Sequence, residues 1–230
     1  MLVSRKECQM PKLGMGPVRR RQLIDATIGA IHEYGLADTT VTRIAKKAGV
    51  SPGIVHHYFA DKDELLFETM RDMLEDLRRQ SVLCLNRAKT PRQRVFAIID
   101  ASFSSEQFSP EVVTAWLAFY ASSRNSASLA RILSLYHRRL RSNLVFALKQ
   151  LDGAASYDFQ AEAIAALIDG LYLRAALNPT LHDMNSPRAL AVEFVTQLLG
   201  SPQNADERNM RNHPDLNILE ATARFPRAKK

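Results

Sequence analysis

Between Arg19 and Leu199 the apolar residues of this chain recur at spacings of three and four with almost no period-two alternation, a pattern that admits helices and little else. Ile24, Ile28 and Ile31 form one stripe, Leu66, Met70, Met73 and Leu77 a second, and Leu129, Leu133, Tyr136 and Leu140 a third. Helix starts are punctuated: Ser51-Pro52, Thr90-Pro91, Ser109-Pro110 and Ser186-Pro187 each place a side-chain oxygen at the N-cap and proline at the first helical position. Thr90 to Gln93 also matches a capping box. The reading is all-α, with helices near 17–34, 41–48, 52–58, 62–88, 91–104, 110–124, 126–151, 157–177 and 187–199. The first three are short and should pack as one small unit, with the longer helices behind them as a bundle.

With 230 residues, 46% of them hydrophobic, the chain can bury a substantial core. It has no run of about 18 uncharged apolar residues, and its basic N-terminus is not followed by an apolar signal core, so the expectation is a cytoplasmic protein that does not enter a membrane. Cys8 and Cys84 fit no metal or redox spacing. Met10 is an alternative translation start. Charge is uneven: residues 1–62 carry 10 basic and 5 acidic side chains, whereas 151–200 carry 2 and 6. The basic end points to a polyanion such as nucleic acid.

The stretch "AKKAGVSPGIVHHYF", residues 45–59, concentrates the punctuation. Ile44, Ala48, Val50, Val55 and Tyr58 would face inward, Ala45 would let two helices approach, and Gly49 would take the positive φ that ends the first. That is a helix-turn-helix, whose second helix can lie in a DNA major groove, although many paired short helices never touch DNA. The flanking residues favour DNA: Thr40, Thr42, Arg43, Lys46, Lys47 and Lys62 offer hydroxyls and cations to phosphates. At the start of the second helix Ser51, Pro52 and Gly53 would approach the duplex. His56 would reach a base edge, and His57 and Tyr58 phosphates. His56 and His57 point about 100° apart, and of the residues four positions on only Asp61 could ligate, so no metal site is expected. Catalytic and nucleotide-binding motifs are absent ("IHEYG" lacks a second histidine), so no enzyme and no cofactor is expected.

On "TTVTRIAKKAGVSPGIVHHYFADKDELL", within residues 17–70, the chain resembles the TetR family of bacterial repressors. The resemblance implies a homodimer of nine-helix subunits binding double-stranded operator DNA, with a ligand pocket and the dimer interface in the C-terminal bundle. The segments "MPKLGMGPVRRRQLIDATI", "WLAFY" and "LIDGLYLR" are similar to choline-responsive members of that family, which regulate the choline to glycine betaine pathway, and imply choline as effector. An efflux regulator sensing other organic cations is the alternative. The domain division that follows is an N-terminal extension 1–16, a helix-turn-helix domain 17–62, a ligand-binding and dimerisation domain 63–200, and a tail 201–230 expected to be mobile.

Two features of the second half fit either a plain core or a ligand. Trp116, Phe119 and Tyr120 stand at i, i+3 and i+4, a spacing that serves an aromatic core or, with the resemblance, a wall for a quaternary ammonium. Asp169 interrupts "AEAIAALIDGLYLRAAL", where a charge needs a partner. It suits a dimer interface with Gly170 and with Arg174 nearby, or a counter-charge for a bound cation. Arg138, Arg139 and Arg141 read as a solvated helix face.

Overall fold

The computed structural model describes residues 15–152, 156–178 and 186–200. Cys8, Met10 and the tail from Ser201 lie outside the described residues. Among those described are nine helices and no strand: α1 (Met15–Asp38), α2 (Val41–Lys47), α3 (Pro52–Tyr58), α4 (Lys62–Arg87), α5 (Pro91–Ser102), α6 (Pro110–Ser122), α7 (Ala127–Asp152), α8 (Asp158–Leu177) and α9 (Pro187–Leu199). None is long and apolar enough to cross a membrane. The described residues up to Val192 form one compact unit, and a second begins at Glu193 within α9 and is described as far as Gly200.

The boundaries follow the capping chemistry. Thr90 and Gln93 form the reciprocal capping box of α5, and Ser109 and Ser186 accept from the backbone N–H of Val112 and Ala189. Asp61, considered in the sequence only as a possible metal ligand, caps α4 by accepting from Glu64 N at 2.8 Å. Ser51 departs from expectation: it occupies the N-cap position of α3 but its side chain makes no capping bond. Proline at the first helical position, with its φ already set, starts α3 without it. The reading of α1 ends it at Tyr34, where the helix does break: Gly35 takes a positive φ of 73°, and a further short helical stretch runs on to Asp38.

The first three helices do share one core. Leu23, Ile24 and Ala30 of α1 meet Ile44 and Ala45 of α2 and Val55 of α3, with Phe59 and Leu65 closing the cluster. Val50 and Tyr58 pack at its edge, and Gly49 has the expected positive φ of 64°. Lys47 lies across Gly29, where a Cβ would come within 2.4 Å of its Cε, and its ammonium reaches Glu33 at 2.9 Å. Beyond this unit α4 packs on α5, α5 on α7 and α7 on α8, while α6 lies along α1 and also touches α8.

Two arginines of α1 join the first unit to α4. The Arg20 guanidinium lies 4.5 Å over the Phe59 ring, donates to Tyr58 O at 3.3 Å and pairs with Glu68 at 2.7 Å. Glu68, whose side chain is only 10% exposed, is also held by Arg71 at 2.6 Å. Arg21 reaches Asp72 and Asp76 at 2.6 and 3.0 Å, one turn further along α4. Removing the Arg20 guanidinium leaves a nearly buried carboxylate with one partner and strips the Phe59 face. Arg20→Ala is therefore expected to cost about 2 kcal/mol, read as a fall of about 4–8 °C in Tm by circular dichroism. Arg20→Lys should recover only part of it, lacking the planar fork. An unchanged melting curve would remove Arg20 from this role.

Candidate DNA interface and effector site

Of the residues proposed for DNA from the sequence, all but Tyr58, which packs on the core, and Lys62, which opens α4, are exposed on or beside α2 and α3. Ser51, Pro52, Gly53, His56 and His57 are all exposed, as is Ile54 beside them. A Cβ built on Gly53 would meet only Ser51 Oγ, at 3.8 Å, so the fold itself does not require glycine there. The His57 ring stands edge-on to Tyr58 at 5.1 Å, and Tyr58 is half-buried on the core.

On α2 the side chains are more committed than the sequence suggested. Thr40 caps the helix by accepting from Arg43 N at 3.2 Å. Arg43 folds back over the Tyr34 ring at 4.5 Å and donates to Asp38 O at 2.6 Å. Lys47 is held by Glu33, and Lys62 donates to Leu36 O at 3.2 Å near the end of α1. Thr42 and Lys46 are exposed, and Lys46 makes no ion pair among the described residues.

The second cluster lies where α6, α7 and α8 meet. Trp116 and Tyr120 of α6 pack at 5.8 Å between centroids, and Tyr136 of α7 lies 6.0 Å from Trp116. Phe119 is fully buried and, among the described residues, shares no ring contact with Trp116 or Tyr120, so it backs the cluster as core. Gln107, in the turn before α6, ties the rings down: its Oε1 accepts from Trp116 Nε1 at 3.3 Å and its backbone carbonyl from the Tyr172 hydroxyl at 2.8 Å.

Asp169 faces this cluster. Its partners are His137, at 3.5 Å, and the Tyr136 hydroxyl, rather than Arg174. Burial raises the Asp169 carboxyl above its ordinary range, against the opposing pull of His137 and the Tyr136 hydrogen bond. Burial likewise pushes the Tyr120 and Tyr136 hydroxyls up, with the Asp169 charge adding to it. Three rings and a carboxylate together are suited to an organic cation. Rings about 6 Å apart, however, are in contact with one another, and a trimethylammonium group between Trp116 and Tyr136 needs them to part.

Sequence reasoning missed Tyr136, His137, Tyr172 and Gln107 as parts of this cluster. Tyr136 was legible only as one member of an apolar stripe, but a hydroxyl buried in such a stripe signals a hydrogen-bond partner. Tyr172 stands three residues after Asp169, on the same face of α8. The basic run on α7 is also not uniformly solvated: Arg141 bridges to Asp158 and Glu162, while Arg138 and Arg139 line a cavity against α4. One contact joins the cluster's helix to the first unit, between His32 Nδ1 of α1 and Thr114 Oγ1 of α6, at 3.0 Å and two residues before Trp116.

Residues 23–69 match the family profile of bacterial regulatory proteins of the TetR family, and residues 91–200 that of the BetI-type transcriptional repressor C-terminal domain. The HTH-type transcriptional regulator BetI of Brucella suis (strain ATCC 23445 / NCTC 10510) is 47% identical over 194 residues, 84% of this chain and 98% of that protein. BetI of Agrobacterium fabrum (strain C58 / ATCC 33970) is 46% identical over 195 residues, covering 84% and 93%. Among solved structures, a protein described as a transcriptional regulator of Pseudomonas aeruginosa PAO1 superposes with a TM-score of 0.72 at 28% identity, covering 90% of this chain and all of that one. A regulator from Saccharomonospora viridis in complex with choline shares the fold, with a TM-score of 0.68 at 17% identity over 78% and 96% of the two chains. These relatives are transcriptional regulators and not enzymes. The chain belongs to the TetR family of bacterial regulatory proteins, with a C-terminal half of the BetI repressor type.

Proposed function

We propose that this chain is a dimeric repressor of the choline to glycine betaine genes, released from its operator by choline held among Trp116, Tyr120, Tyr136 and Asp169. The observation that carries the reading is the meeting of three aromatic rings with one half-buried carboxylate, in a chain 47% identical to BetI. Each ring face contributes about 0.5–2 kcal/mol to holding a quaternary ammonium, and the carboxylate supplies the counter-charge. Residues 17–62 serve as the DNA-binding domain and 63–200 as the effector and dimerisation domain. The exposed face of α3 enters the major groove with His56 at the base edges. Ser51, Thr42, Lys46 and His57 meet phosphates, and Arg43 and Lys62 join them by exchanging their backbone partners for phosphate oxygens.

Ligand acts through differential affinity. Parting Trp116 from Tyr136 shifts α6 against α7, and α6 is the helix that lies along α1 and meets it at the His32–Thr114 contact. The two DNA-reading units of the dimer then change their spacing. A coupling of about 1–3 kcal/mol changes operator affinity roughly 5- to 150-fold.

Trp116 is the chain's only tryptophan, so its fluorescence reports directly on the cluster. Titration with choline is expected to change that emission saturably and to weaken binding of the DNA upstream of this gene, measured by anisotropy. Tight DNA binding indifferent to choline would discard choline as effector and favour another organic cation. Because burial raises the Asp169 carboxyl, choline affinity should fall as the solution is acidified through that titration, the carboxylate being the form that holds a cation. Asp169→Asn should weaken choline by about tenfold and flatten this pH dependence; an unaltered profile would exclude Asp169 as counter-charge.

Gly53→Ala separates fold from recognition. The variant should melt like the parent yet bind operator about tenfold more weakly, because the new methyl stands where the DNA approaches. His32→Ala addresses transmission. Choline should still perturb Trp116 fluorescence, while its effect on operator affinity shrinks by about half or more on the free-energy scale. A full choline effect on DNA in that variant would place the coupling elsewhere.

A further inference from the structure

A cavity lies apart from the aromatic cluster. It opens between α1, α4 and α7, encloses about 1020 Å³, and shares only Tyr136 with that cluster. Its inner surface is apolar, built from Ile24, Phe67, Leu77, Ile98, Ile132 and Leu140. A volume of this size accommodates an organic ligand of several tens of atoms.

The charges around it are arranged asymmetrically. On the α4 side every carboxylate of the lining already has an arginine: Glu68 is held by Arg20 and Arg71, Asp72 by Arg21, and Glu75 by Arg78. On the opposite wall Arg131, Arg138 and Arg139 make no ion pair among the described residues. Arg139 is within electrostatic reach of Glu75, but that carboxylate is committed first to Arg78. Their neighbour Arg141 shows the alternative, turning away to Asp158 and Glu162 of α8. Arg131 and Arg138 share a face of α7, two turns or about 10 Å apart, and Arg139, turned about 100° from Arg138, lines the same cavity.

An occupant of this cavity therefore meets an apolar floor, neutralised carboxylates on one side and unpaired guanidinium forks on the other. Such a surface repels a quaternary ammonium, which rules it out as the proposed effector site. Guanidinium groups match planar or tetrahedral oxyanions with paired hydrogen bonds. We infer that the α1/α4/α7 cavity binds a small amphipathic anion, its carboxylate or phosphate head on Arg131, Arg138 and Arg139 and its apolar body on Ile98, Ile132 and their neighbours. The site has Arg20, Arg21 and Ile24 of α1 in its wall, so a bound anion touches the DNA-binding unit and the bundle together.

Calorimetric titration of the full-length protein with sodium octanoate, at fixed ionic strength and below micelle formation, tests this. The expected result is saturable binding of one octanoate per chain, with 1-octanol and acetate each weaker by about tenfold or more. A variant carrying Arg131→Gln, Arg138→Gln and Arg139→Gln should lose about tenfold in octanoate affinity while melting like the parent. The single Arg138→Gln variant, at an exposed position, should show part of that loss and serves where the triple variant does not fold. Octanol binding as well as octanoate would reduce the cavity to a plain apolar cleft. Octanoate affinity unmoved in the arginine variants, or no saturable binding at millimolar octanoate, would likewise overturn the assignment.

Discussion

The contact on which the arrangement of the molecule rests is the one Arg20 makes with Phe59, Tyr58 and Glu68. Short helices bury little by themselves, and α2 and α3 have seven residues each. Their geometry is borrowed from α1 and from the start of α4. Arg20 binds all three participants at once: a ring at the end of α3, a carbonyl of the same helix end, and a carboxylate in the second turn of α4. The orientation of α3, and with it everything the protein can present to a duplex, is set by how α1 sits on α4.

Helix order and nearly all helix ends were legible because local chemistry writes them. Caps and prolines act within four residues, and apolar spacing identifies the buried face without knowledge of what covers it. The turn at Gly49 and the inward set of Ile44, Ala45, Ala48 and Val55 could be read for the same reason. What escaped was tertiary. Arg43, Lys47 and Lys62 look like free cations in the sequence, yet each finds a partner on α1, 5, 14 and 26 residues away. Tyr136 joins Trp116 from 20 positions away because α7 doubles back along α6, a meeting no spacing rule encodes. The basic run on α7 divides between a bridge to α8 and a cavity wall according to which way each residue faces, information that exists only once its neighbours are placed.

The bundle holds two environments of opposite sign within one turn of α7. Tyr136 and His137 look toward Asp169 and the rings, while Arg138 and Arg139 look toward α4. Helical geometry makes this possible, since successive side chains are rotated by about 100° and neighbouring positions can serve different solvents and different charges. Under the two proposals a cation and an anion are sorted by the same stretch of four residues, and Tyr136 stands on the boundary between them.

Lys47 resting across Gly29 carries a consequence for how such a surface can change over generations. The missing side chain at position 29 is what lets the lysine stem lie down and deliver its ammonium to Glu33. Any larger residue there would lift the far end of a flexible chain rather than break a packed core. The displaced ammonium would then stand near α2 as an additional positive charge facing outward. Under the proposed function, attraction for a duplex can thus be retuned by a substitution on α1, leaving the exposed residues of α3 untouched.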